Sequence, residues 1–462
     1  MHQLIAQISL TDGWFPVVVQ LIGALLLGAA VGWRTSRWRL RILPVLVIAA
    51  AGLAGVMYRY IDSIGVAGNA GPPQLWVWIA LTVLAAGVLL LGWVSAPWWR
   101  RIVSVAAVGV CLVACGLTLN MWVGYFPTGY AMWNQLTSGP LPGQTDRLTV
   151  TKMQLAHFRP PSGVLVPVTI DSEASGFDHR EEFVYLPPAW FASSPPPDLP
   201  AVMMIGSQLN TPADWLRAGN AQGIIDGFAA AHGGEAPVFV FVDATGSFAN
   251  DTECVNGVRG NAADHLTKDV VPYMISNFGV RSDRDGWGIA GWSMGGTCAV
   301  DLTLMHPDIF RSFVDIAGDL RPNAGDKAQT ISRLWGGDGT AWAAYDPVTI
   351  MARHGPYSGP SGDVTAWFEV PAGQRGGAGP DPANPEGQDV AAVTLCNAAR
   401  AVSIDCSVIT EPGRHDWAFA NTAFARALPW LVGQLHTPGV AEIPLPASTL
   451  GEQPSGVRAA PR

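Results

Sequence analysis

Over its first 145 residues the chain contains no lysine and only two acids, Asp12 and Asp62, against seven arginines. No lysine or arginine precedes the first long apolar run. A cleaved signal peptide carries a positive segment there, so this run reads as a retained span. The chain also lacks a P-loop, a dinucleotide-binding glycine fingerprint and any internal repeat, which removes nucleotide-cradling and solenoid classes from consideration. Cysteine is sparse at six residues, with no C-x-x-C pair and no close histidine cluster beside them. Neither a metal site nor a cofactor is expected.

What charge there is divides the chain in two. Residues 1–145 carry a net +5, from seven Arg against two acids, and residues 146–462 a net −14, from 20 basic against 34 acidic residues. The acidic part argues against a nucleic-acid partner. The basic part reads as an all-α membrane domain over residues 1–127, with four spans at Trp14–Trp33, Ile42–Tyr58, Leu75–Val94 and Ile102–Val123. Tryptophans such as Trp33, Trp76, Trp93 and Trp122 lie near the span ends, where indole favours the interface. Arg34, Arg37, Arg39 and Arg41 follow the first span, and Arg100 and Arg101 precede the fourth. Both loops are expected on the cytoplasmic side, which leaves both termini and the acidic domain on the outer face of the cytoplasmic membrane. Residues 128–148 read as a linker, 149–436 as a catalytic domain whose first residues, Thr149 to Ile170, supply edge strands, and 437–462 as a disordered Pro-rich tail.

Within the acidic part, Gly291-Trp292-Ser293-Met294-Gly295 is a G-x-S-x-G pentapeptide. A short buried-strand run, Asp285 to Ala290, precedes it, and a helical run stopped by Pro307 follows. Strand, sharp turn and helix make the nucleophile elbow of an α/β-hydrolase, a mostly parallel sheet with helices on both faces, and name Ser293 as nucleophile. In that fold the acid and then the histidine follow the serine. Of the nine histidines in the chain, His306, His354, His415 and His436 come after Ser293. His306 ends the elbow helix, His354 lies in a Gly/Pro-rich loop, and His436 starts the tail. His415 follows the strand-like run Cys406–Thr410 and is the expected general base.

The acid should follow the preceding strand, read as Ala366–Val370. The loop from Pro371 to Gln388 offers Asp381 first and Glu386 second, while Asp389 suits the start of the next helix. Two backbone N–H groups should hold the oxyanion. One belongs to Met294. The other comes from the loop after the strand Ala201–Ile205, at Ser207 or Gln208.

These stretches, with Phe183-Val184-Tyr185-Leu186-Pro187-Pro188 and Gly413-Arg414-His415-Asp416-Trp417, make residues 164–435 resemble the putative-esterase family of α/β-hydrolases. That family includes esterase D-like enzymes and secreted mycobacterial mycolyltransferases. The resemblance implies acyl transfer through a seryl ester, to water or to a sugar. The spans and the sequence after the acid strand set the chain apart from the secreted mycolyltransferases, so mycolate is not implied. Cys254, Cys298, Cys396 and Cys406 permit two disulfides on an oxidising side. Three pairings are open; Cys254 with Cys298 would tie a loop to the elbow helix, and Cys396 with Cys406 a helix to the next strand. Cys111 and Cys115 fall within the fourth span.

The function expected is that of a membrane-anchored serine esterase or acyltransferase acting on an acyl ester or lipid of the cell envelope. A catalytically silent hydrolase fold that binds a lipid or a protein is the alternative, and a peptidase a further one. Sequence leaves the oligomeric state open.

Overall fold

The computed structural model describes residues 8–32, 34–64, 71–126, 128–129, 132–133, 141–358, 363–373, 381 and 383–450. The chain divides into two compact units, Met1–Ser138 and Gly139–Arg462.

The first unit contains four helices long and apolar enough to cross a membrane, Trp14–Val31, Trp38–Ser63, Pro73–Gly92 and Trp98–Val123. The second was expected to be the shortest. It is 26 residues long because Trp38–Ile42 begins it as a π-helical turn that takes in Arg39 and Arg41. Trp33, the expected end of the first span, lies outside the described residues. Small residues allow close approach inside the unit: Gly23 faces Trp78 and Val110. Leu25, Ile48 and Leu90, at 73 %, 71 % and 73 % exposure, cover the outward faces, a surface suited to hydrocarbon rather than water. Arg34 donates to the carbonyls of Ala30 (2.9 Å) and Gly92 (3.1 Å). One guanidinium thus caps the C-terminal ends of two spans, where helix carbonyls lack intrahelical donors.

The second unit is built on eight strands: β1 Val164–Val168, β2 Glu182–Leu186, β3 Ala201–Ile205, β4 Val238–Val242, β5 Trp287–Trp292, β6 Ser312–Ile316, β7 Thr365–Pro371 and β8 Asp405–Glu411. They form one sheet in the order β1-β2-β4-β3-β5-β6-β7-β8. β1 and β2 are antiparallel to their neighbours, and the strands from β4 to β8 run parallel. β3 (AVMMI) and β4 (VFVFV) are buried at every position. Such unbroken apolar runs suit strands covered on both faces. Helices connect the parallel strands, and the order reverses at β3, whose neighbours are β4 and β5. Open α/β sheets place their sites at the carboxyl ends of the strands beside such a reversal.

Two segments differ from the sequence reading. Residues 147–155, expected as linker end and edge strand, form a helix. Asp146 caps it, accepting from Thr149 N at 2.9 Å and Thr149 Oγ1 at 2.9 Å, a local bond that favours helix over strand. The described part of the tail, as far as Leu450, pairs with β8. Thr449 N donates to Val408 O (2.9 Å), Val408 N to Ser448 Oγ (3.1 Å) and Thr410 N to Thr449 Oγ1 (2.6 Å). These bonds satisfy the open edge of β8, which an edge strand otherwise presents to any partner. Residues 451–462 lie outside the described residues.

Cys254 is bonded to Cys298 and Cys396 to Cys406. The first bond ties the loop after β4 to the elbow helix across 44 residues of sequence. Replacing Cys254 and Cys298 together by Ala is expected to lower stability by about 3 kcal/mol. Thermal unfolding of the full chain in detergent would test this, and an unchanged midpoint would contradict it.

Candidate active site

β5 ends at Trp292 and the helix Met294–Met305 starts two residues later. Between them Ser293 has φ 55° and ψ −120°. A non-glycine residue is strained there by about 1–3 kcal/mol and persists only where its surroundings enforce it. The neighbours do so. A Cβ at Gly291 would overlap the Gly295 carbonyl, and one at Gly295 would overlap the carbonyls of Ile205 and Gly206. The elbow therefore lies directly against the end of β3. Ser293 N donates to Ile316 O (2.9 Å), which fixes the turn to β6 as well.

His415 Nε2 lies 3.0 Å from Ser293 Oγ. Its ring packs on Trp292, with centroids 4.4 Å apart. Burial pushes the imidazole down to about 4, so it is neutral at pH 7 and able to accept the serine proton. For Nε2 to accept, Nδ1 must carry hydrogen. Nδ1 is buried and has no acceptor among the described residues.

Neither of the expected acids, Asp381 and Glu386, makes that bond among the described residues, and nor does Asp389. Asp381 accepts from Ala383 N (2.9 Å). Asp389 accepts from Val390 N (2.9 Å) at the start of the helix Gln388–Ala401. Glu386 accepts from Asn323 Nδ2 (2.9 Å), and burial together with Asp319 beside it pushes its carboxyl well above the usual range. A protonated Glu386 cannot serve as the anion an imidazolium needs.

Met294 opens the elbow helix, so its N–H is one of the donors without an intrahelical acceptor. Ser207 N, the expected second donor, is engaged: it donates to Asn210 Oδ1 at 3.2 Å. Gln208 Oε1 accepts from Ser207 Oγ (2.6 Å). Arg180 holds this loop from outside, donating to Asn210 O (2.8 Å) while paired with Asp243 (2.6 Å).

Residues 178–431, more than half of the chain, match the protein family described as putative esterase. The chain belongs to that family. It is 36 % identical over 193 residues to an uncharacterised protein of Corynebacterium glutamicum, a match covering 41 % of the chain and 45 % of that protein. The match thus spans less than half the length of that relative. Among solved structures, a ferulic acid esterase aligns at 18 % identity and TM-score 0.45 over 59 % of the chain and 98 % of its own. S-formylglutathione hydrolase from Agrobacterium tumefaciens aligns at 15 % identity and TM-score 0.45 over 58 % and 99 %. Mycobacterium tuberculosis MPT51 aligns at 18 % identity and TM-score 0.39 over 58 % and 99 %. The second unit is thus an α/β-hydrolase domain of the putative-esterase family.

Sequence reasoning did not anticipate a buried polar cluster at the β2–β4 end of the sheet. His265 Nε2 lies 3.2 Å from Glu182 Oε1, and its Nδ1 lies 3.3 Å from Asp269 Oδ2. Burial alone would lower the His265 pKa, but the two carboxylates outweigh it and raise it. His179, Glu182 and His265 offer three donor atoms within 4.8 Å, enough for a metal by count. The two imidazoles, however, stack at 4.3 Å with planes 22° apart. Their in-plane lone pairs then run side by side instead of converging on one point. His179 also bonds Ile170 O (2.6 Å) and Arg180 O (2.9 Å). The cluster reads as a hydrogen-bonded brace. Glu182 Oε1 also accepts from Asp243 N (2.9 Å), which links it to the Arg180 pair. The two halves of the cluster, His179–Glu182 and His265–Asp269, are joined by a contact across 83 residues, so no local spacing announces the whole.

Two predictions follow from the site. Protonation of His415 removes the base, so kcat/KM should hold as pH falls below the ordinary histidine range and drop only through about 4. A pH–rate profile with its acid limb near 6.5, the free-histidine value, would contradict this. Among the loop acids, Asp381→Asn should reduce kcat/KM by about tenfold or more, as loss of an electrostatic partner does, and Glu386→Gln and Asp389→Asn by much less. Kinetics of the three variants decide this, and equal effects would remove Asp381.

Proposed function

We propose that the protein is a membrane-anchored serine esterase or acyltransferase acting on acyl esters of envelope lipids or glycolipids. The observation that carries the reading is the 3.0 Å contact of Ser293 Oγ with a neutral His415 at a strained elbow. Ser293 attacks the ester carbonyl as His415 Nε2 takes its proton. The Met294 N–H holds the oxyanion, joined by Ser207 N–H as Asn210 releases it. The tetrahedral intermediate collapses, the C–O bond breaks, and His415 returns the proton to the leaving alcohol. Water or a second alcohol then takes the acyl group from Ser293 by the reverse steps. Asp381 is the acid assigned by chain order. Glu386 is protonated beside Asp319 and Asp389 opens the next helix, whereas Asp381 accepts a bond from Ala383 N within the loop itself.

Spans on the same chain would confine the domain to the surface that carries its substrate and raise the effective substrate concentration. The arginines between spans one and two, and between three and four, support an outer-face location for that domain under the positive-inside rule.

The test is labelling of the full chain by a fluorophosphonate, which phosphonylates only an activated serine. Wild type should label, while Ser293→Ala and His415→Ala should not. A folded wild type that does not label would favour a silent binding domain. Given labelling, a long-chain ester in vesicles should be turned over at higher kcat/KM than a short water-soluble ester. The reverse order would remove the lipid assignment.

A further inference from the structure

His415 Nδ1 is buried and bonded to no carboxylate among the described residues. Ring contacts can set the plane of the imidazole, because χ2 of a histidine is a broad torsion with no sharp wells of its own. Asp416, its chain neighbour, caps the next helix by accepting from Phe419 N (3.0 Å). Arg414 is exposed. No charged group dominates the environment of the imidazole; burial is the cause of its lowered pKa.

What does lie on the ring is indole. Trp292, 3 % exposed, faces His415 at 4.4 Å between centroids, with planes 33° apart. It is the last residue of β5, covalently next to the nucleophile. Trp417, on the helix after the histidine loop, packs on Trp292 at 6.3 Å. Trp215 stands edge-on to Trp417 at 5.2 Å, and its Nε1 donates to Ile205 O at 2.9 Å. The three indoles connect the root of the oxyanion loop, the nucleophile elbow and the histidine loop.

We propose that Trp292, backed by Trp417 and Trp215, is a positioning residue for His415 and shares with the triad acid the work of orienting it. The proposal rests on the reading of Ser293 and His415 as the catalytic pair. A flat indole on one face restricts rotation of the imidazole and keeps Nε2 aimed at Ser293 Oγ. It also excludes water, which keeps the resting base neutral. Once the proton arrives, the π face attracts the imidazolium, so the same contact assists the charged state formed during acyl transfer. Trp292 touches neither substrate nor reacting atom in this scheme. It acts through His415.

The experiment is the rate of fluorophosphonate labelling of Ser293 in the full chain, measured against pH for wild type, Trp292→Phe and Trp292→Leu. Trp292→Leu should lower the plateau rate about tenfold and move the acid limb upward by about one pH unit or more, as expected when a buried histidine gains water. Trp292→Phe should lie between Trp292→Leu and wild type. A reduced plateau with the wild-type acid limb is what loss of mere packing gives, and it would overturn the proposal. If Trp292→Leu does not fold, Trp292→Tyr carries the comparison. It keeps a ring and sets a hydroxyl beside the imidazole, so an upward limb supports the proposal and an unmoved one overturns it. Failure of wild type to label would instead sink the catalytic pair itself, which separates the two readings.

Discussion

The backbone of Ser293 at φ 55° is the constraint on which the rest of the domain depends. It is held by contact without side chains, the Gly291 and Gly295 positions pressed against carbonyls of the elbow and of β3. That closeness is possible only because β3 and β5 pair in parallel at the point where the strand order reverses. The same pairing places the loop after β3 beside Ser293, and β8, three strands further along, sends the His415 loop back over it. A Cys254–Cys298 bond and an Ile316 carbonyl secure the elbow from two more sides.

The domain treats charge differently on its two flanks. Near β2 and β4, buried charges occur in company: Asp243 with Arg180, and Glu182 and Asp269 with His265. Burial would raise the Asp243 pKa, but Arg180 outweighs it and holds that carboxyl below its usual range. Paired, hydrogen-bonded charges can be buried where lone ones cannot. At Ser293 the opposite arrangement holds, with an imidazole kept neutral by its apolar surroundings. The paired flank stiffens the Asn210 turn, and the neutral flank leaves the base free to take up a proton.

Elements whose causes are local were legible in the sequence. β3 was read as Ala201–Ile205 from five consecutive apolar residues, and the structure has the same bounds. The elbow followed from glycine spacing between a strand and a helix. The helix at Arg147 was missed although its cap, Asp146 to Thr149, is local, because the apolar residues that follow also suit a strand. The acid was harder for a different reason. Chain order names the loop, but which carboxylate is free depends on partners such as Asn323, 63 residues from Glu386. Trp292 and Trp417 stood in quoted motifs without a role, since ring contacts across 125 residues leave no mark in spacing.

The tail that covers β8 has a further consequence. Four spans would confine copies of the chain to one plane, where encounters are frequent and approach angles few. A bare parallel edge carried by every copy in such a plane would favour strand-to-strand growth between neighbours. Ser448 and Thr449 occupy those hydrogen-bonding positions first. Ser448 and Thr449 thus act as a built-in terminator on the β8 side of the sheet, which would oppose such growth.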